Sequence, residues 1–168
     1  MKNAALLLSL TFAFISCKAQ LPEDNKKSIN QTLNDWHKAA TEAKFDIYFS
    51  LMTDDAIFIG TDATENWNKE AFKAYSKPHF DKGKAWNFTA LERNVFLSED
   101  GKTAWFDELL DTQMKICRGS GVLKKENGQW KIAHYVLSIA VPNDNVDELV
   151  KIKTKVDDRL IKELKSKK

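Results

Sequence analysis

The sequence predicts an α+β fold in which helices gather on one face of an antiparallel sheet. Apolar residues recur at helical spacing from Ile29 to Ala43, and from Lys84 onward the period changes to two. Two dipeptides, Asp100-Gly101 and Asn127-Gly128, mark tight hairpin turns between apolar runs. Composition agrees: 168 residues with 43% hydrophobic and 11% aromatic side chains are enough for one domain with one core. The 26 basic and 24 acidic residues leave +2, without the basic surplus of a nucleic-acid binder. Two cysteines, 100 positions apart, exclude a disulfide scaffold and a four-cysteine zinc site.

The chain opens on a segment that is not fold. Met1-Lys2-Asn3 is a short positive start, and Ala4 to Ile15 is a largely apolar run of 12 residues, too short to span a membrane as a helix. Ser16, Cys17, Lys18, Ala19 and Gln20 follow, which is the layout of a signal peptide. Phe14-Ile15-Ser16-Cys17 resembles a bacterial lipobox, in which the cysteine is lipidated and becomes the new N-terminus; cleavage after Ala19 is the alternative. Either route exports the protein, to the periplasm or an outer-membrane anchor of a Gram-negative cell in the first case and as a secreted protein in the second. The expected boundaries are 1–17 for the signal, 18–27 for a polar tether, 28–142 for the domain and 143–168 for a terminal helix.

Within the domain, Ser28 with Gln31 forms a capping-box pattern ahead of Ile29, Leu33, Trp36, Ala40 and Ala43. A short helix around Asp46–Met52 and a strand at Ala56–Ile59 come next, and Gly60 to Asn66 is a polar loop. Asn68 caps a third helix whose face is Phe72, Tyr75 and Phe80, with Pro78 near its end. Trp86, Phe88 and Ala90 share one strand face, continued by Val95 and Leu97 after a bulge. Strands follow near Thr103–Gln113, Lys115–Lys125 and Gln129–Val141. After Pro142, Val146, Leu149, Val150, Val156, Leu160 and Leu164 give an amphipathic helix with a mixed-charge polar side. Cys117 reads as a small buried hydrophobe.

Several strings then carry a resemblance: DIYFSLMTDDAIFIG at Asp46–Gly60, WNKEAF at Trp67–Phe72, DGKTAWFD at Asp100–Asp107, and RGSGVLKKENGQWKIAHYVLS at Arg118–Ser138. Across Ser28 to Val141 the chain resembles the SnoaL-like family of the nuclear transport factor 2-like (ketosteroid-isomerase-like) superfamily. The resemblance implies a cone: a strongly curved, cystatin-like antiparallel sheet wrapped on the N-terminal helices, with a cavity at its wide end. It also implies a homodimer through the outer face of the sheet. The superfamily holds isomerases, cyclases, dehydratases, small-ligand binders and assembly domains, so the fold does not select a function.

By strict alternation, Trp130, Ile132, His134, Val136 and Ser138 share a strand face, which the resemblance places inside the cone. His134 would there bind a ligand or exchange a proton; a histidine hydrogen-bonded to backbone is the alternative. On the neighbouring strand Trp105 and Asp107 alternate with Phe106 and Glu108. Asp107, held among apolar groups, is a candidate general base, and a solvated strand face is the alternative. Arg118 would clamp a ligand carboxylate or pair with Asp107 or Glu108. Trp67 and His79 bracket the third helix, which the resemblance places near the cavity mouth, and Trp86 and Trp105 add to an aromatic lining; packing of these rings in the core is the alternative. Arg118-Gly119-Ser120-Gly121 is neither a nucleophile elbow nor a dinucleotide loop, so no cofactor is expected. His37, His79 and His134 fall on separate elements without metal-ligand spacing, so no metal is expected either. The expected function is binding of a small, mostly apolar molecule. The alternatives are an acid/base isomerase, cyclase or dehydratase using Asp107 or His134, and an assembly module.

Overall fold

A computed structural model describes the backbone of residues 2–167 and the side chains of residues 22–167. Cys17 and the rest of the expected signal segment lie outside the described side chains. Helix α1 (Lys2–Thr41) is already running at Pro22, so Ser28 sits within it rather than capping it. Ile29, Leu33, Trp36 and Ala40 fall on one face of α1, and all four are fully buried. Helix α2 (Phe45–Ser50) follows and adds Tyr48 and Phe49 to the same core.

Six strands form one curved sheet in the order β2-β1-β6-β5-β4-β3: β1 (Met52–Ile59), β2 (Asn66–Asn68), β3 (Phe88–Leu97), β4 (Thr103–Thr112), β5 (Lys115–Glu126) and β6 (Gln129–Ile139). The pairs are antiparallel except β1 with β6, which run parallel. Strand β2 lies where only a polar loop and a helix cap were expected, and its three residues pair along Ile57–Ile59. Helix α3 (Lys69–Phe80) starts as expected, with the Asn68 side chain accepting from the Ala71 N–H at 2.9 Å. The hairpin turns also fall as the sequence places them. Gly101 has φ +66°, and Asn127 and Gly128 have φ +50° and +81°, the left-handed pair that a tight two-residue turn requires.

The bulge expected in β3 is present, between Ala90 and Glu92. A second one, in β6, was not expected and decides what faces the core. Val122 pairs with His134 and Leu123 with Ile132, so Ala133 is an inserted residue. An extra residue reverses the phase of everything beyond it. Trp130 and Ile132 point inward before the bulge, and Tyr135 and Leu137 after it. His134, Val136 and Ser138 therefore turn to the outer face, which corrects the strict alternation.

Helix α4 (Val146–Ser166) closes the chain. Most of its apolar residues are exposed, among them Leu149, Ile152 and Val156, and Leu160 is half-buried.

Candidate functional site

The inner face of the sheet carries a carboxylate at its centre, Glu108. Strand β4 alternates Phe106, Glu108 and Leu110 inward with Trp105, Asp107 and Leu109 outward, and Glu108 is completely buried. Room for it comes from β5, where glycine stands opposite: Glu108 pairs with Gly119 in register. A Cβ on Gly119 would overlap Tyr135 Oη and stand 3.0 Å from Glu108 Cγ. The glycine is required by this close approach, not by a turn.

A buried carboxylate is tolerable only when its lone pairs are filled. Three elements fill those of Glu108. From α1, His37 Nε2 lies 2.9 Å from Oε1, and since a carboxylate only accepts, the Nε2 proton points to it. From β6, Tyr135 Oη donates to the same oxygen at 3.1 Å. From β3, Arg93 Nε donates to Oε2 at 2.8 Å, with Nη2 2.7 Å from that oxygen. Arg93 is itself held by Asn34 Oδ1 at 2.9 Å and by Asn30, both on α1. Burial pushes the Glu108 carboxyl up, yet the His37 hydrogen bond and the His37 and Arg93 charges outweigh it and hold the group below its ordinary range. Tyr135 moves the other way: burial first, then the Glu108 charge, push its hydroxyl well above the usual value.

This network is tied to an open cleft without reaching it. A cleft of ≈ 160 Å³ opens between α3 and the sheet, lined by Phe58, Trp67, Phe72, Trp86 and Phe88, with Leu137 and Met114. Polar atoms enter from Gly60, Thr61, Glu65, Tyr75 and Gln113. The rings are closely aligned: Phe58 stacks on Phe72 at 3.9 Å and 14°, Trp67 on Tyr75 at 4.4 Å and 26°, and Phe72 faces Trp86 at 5.9 Å and 24°. Phe58 lies 5.6 Å from the Tyr135 ring and Phe88 5.7 Å from the His37 ring. The two phenylalanines thus stand between the cleft and the carboxylate. A wider groove of ≈ 400 Å³, with Lys84, Asn87 and Asp111, adjoins it and shares Trp86 and Gln113.

Of the residues expected in the cavity, Trp67 and Trp86 line the cleft. His79 does not, although its ring is 5.4 Å from that of Tyr75. Trp130 is buried in the core, away from the cleft, with Lys125 Nζ 5.5 Å over its ring. Trp105, Asp107, Arg118, His134 and Ser138 lie on the outer face and do not converge on a cavity. Asp107 bonds Asn94 Nδ2 at 3.2 Å, and Arg118 stands opposite Leu109 and Ser138. The arginine that meets Glu108 is Arg93, not Arg118. Among the described residues no three His, Cys, Asp or Glu side chains gather as a metal site. Sequence reasoning missed the network because its members are far apart, with 71 positions between His37 and Glu108. One signal was available: Phe106 and Leu110 flank Glu108 on the same strand face.

Comparison with known proteins gives a family and a fold. The SnoaL-like domain profile matches residues 29–142. An NTF2-like protein of unknown function from Pseudomonas putida superimposes with a TM-score of 0.59 at 16% identity, over 71% of this chain and 89% of that one. A dehydratase candidate of the NTF2-like family from Streptomyces avermitilis gives 0.63 at 11% identity, over 72% and 99%. The association domain of C. elegans CaMKII gives 0.57 at 17%, over 69% and 96%. At these identities the likeness is one of fold. Among curated proteins no sequence relative matches.

Proposed function

The chain belongs to the SnoaL-like domain family, and on that premise we propose that it is an exported domain that binds a small, mostly apolar molecule in its aromatic cleft. The observation that carries this reading is the cleft itself: aligned ring faces with a few polar residues among them, the usual composition of a ligand pocket. The cleft has room for a ring-sized apolar group, since an apolar cavity of about 150 Å³ takes a benzene-sized guest. A one- or two-ring group fits ≈ 160 Å³. Binding without turnover is favoured by the state of Glu108, whose oxygens are committed to His37, Tyr135 and Arg93 behind Phe58 and Phe88. Chemistry at Asp107 or His134 is disfavoured because both face away from the cone.

A thermal-shift series tests the reading. Indole at ten times its dissociation constant should stabilise the folded chain by about 1.4 kcal/mol. Absence of any shift with one- and two-ring compounds would remove it. Export rests on the apolar run Ala4–Ile15 and on Cys17, and radiolabelled palmitate should label the wild type but not Cys17→Ala. Label retained in that variant contradicts the anchor.

A second role, self-association through the outer sheet face, is favoured by Phe96 and Trp105. They stack at 5.9 Å with about half of each residue exposed, 46% and 48%. The solved association domain of C. elegans CaMKII shares the fold.

A further inference from the structure

We infer that the aromatic cleft selects an organic cation: a molecule with a ring-sized apolar body and an ammonium group. This deepens the binding reading above and rests on it. Twelve residues line the cleft, and the one that carries a charge is an acid, Glu65. Its carboxylate is held in place by the loop that brings it there. The Gly60 N–H donates to Glu65 O at 3.0 Å, and the Asp62 N–H donates to Glu65 Oε2 at 3.2 Å. A Cβ on Gly60 would overlap Oε2, so glycine is what lets the side chain fold back over the backbone. Asp62 adds a second negative charge to the same loop, and the Thr64 hydroxyl and N–H hold its carboxyl below the usual range.

Beside this acid stand the ring faces. Trp67 and Tyr75 stack on each other, and Phe72 lies within 16° of parallel to Trp67. Aromatic faces carry negative potential, which attracts an ammonium group and gives nothing to a carboxylate. Burial and the Glu65 charge both push the Tyr75 hydroxyl up, as a field negative at that ring would. Among the described residues, no basic one lines the cleft to balance it. His79 does not line the cleft, and Lys84 stands in the adjoining groove together with Asp111. An anionic ligand would be desolvated against Glu65 with no partner, whereas an ammonium group gains both a carboxylate and ring faces.

Three probes of one size separate the possibilities: benzylammonium, benzyl alcohol and benzoate, titrated calorimetrically into the full chain at pH 7. The expected order is benzylammonium tightest, by about tenfold over benzyl alcohol, with benzoate weakest. In Glu65→Gln, checked for folding by its unchanged circular dichroism, the margin between benzylammonium and benzyl alcohol should fall to about twofold. Benzyl alcohol or benzoate binding as well as benzylammonium overturns the cation inference and leaves the cleft as a binding site. Failure of all three probes overturns the binding reading as well. A cation preference that survives in Glu65→Gln overturns the assignment to Glu65.

Discussion

Glu108→Ala is expected to cost about 3–5 kcal/mol, a large share of the stability of a domain this size. The substitution removes one carboxylate and strands three groups. Arg93, with 6% of its side chain exposed, would keep its charge without a counter-ion. His37 and the Tyr135 hydroxyl would lose their shared acceptor at Oε1. The loss exceeds what any one of these bonds contributes, because a buried polar group left unpaired carries its whole desolvation cost. The pH profile gives a second readout with a defined sign. Folding holds the Glu108 carboxyl below its ordinary value. Its contribution is therefore present above the unfolded value of about 4.3 and is lost as the pH falls through the lower folded value. Urea midpoints should decline in that acid window for the wild type, and Glu108→Gln should remove that part of the decline. A Glu108→Ala variant within about 1 kcal/mol of wild type would contradict the account of the network.

Trp105→Glu is expected to convert a dimer to a monomer. Along the outer face, Phe96, Trp105, Val122 and His134 stand opposite one another on four successive strands, β3 to β6. Trp105 and Phe96 give that row its exposed apolar surface, and Val122 and Val136 are half-buried beside them. Tryptophan at the centre of an interface typically contributes 2 kcal/mol or more, so its replacement by a charge should weaken association by roughly 30-fold or beyond. Light scattering should give twice the mass of one chain for the wild type and the single mass for the variant. A monomeric wild type, or a dimer that survives the change, would contradict a role for this face.

Most of the fold was legible because its signals are local. The Asn68 cap, the Asp100-Gly101 and Asn127-Gly128 turns and the α1 stripe from Ile29 to Ala40 each depend on a few adjacent residues. Trp67 and Trp86 line the cleft, and the expectation that put them there came from the family resemblance rather than from any local pattern. The inward face of β6 was not legible, since Ala133 is a small residue like any other and only its pairing with β5 makes it a bulge. That single insertion moved His134 and Ser138 out of the cone and brought Tyr135 in. Glu108 was hidden for a different reason. A charged residue amid apolar neighbours reads as exposed until its partners are known, and His37, Arg93 and Tyr135 come from three other elements.

Tryptophan reports directly on a small molecule bound among the rings between α3 and the sheet. The five indole N–H resonances of the chain sample distinct places: Trp67 and Trp86 in the cleft, Trp36 and Trp130 in the core, and Trp105 on the outer face. In a titration of the labelled chain with benzyl alcohol, the account predicts that the Trp67 and Trp86 signals shift with one shared saturation curve while Trp105 stays fixed. Movement of Trp105 with Trp67 and Trp86 unmoved would contradict it.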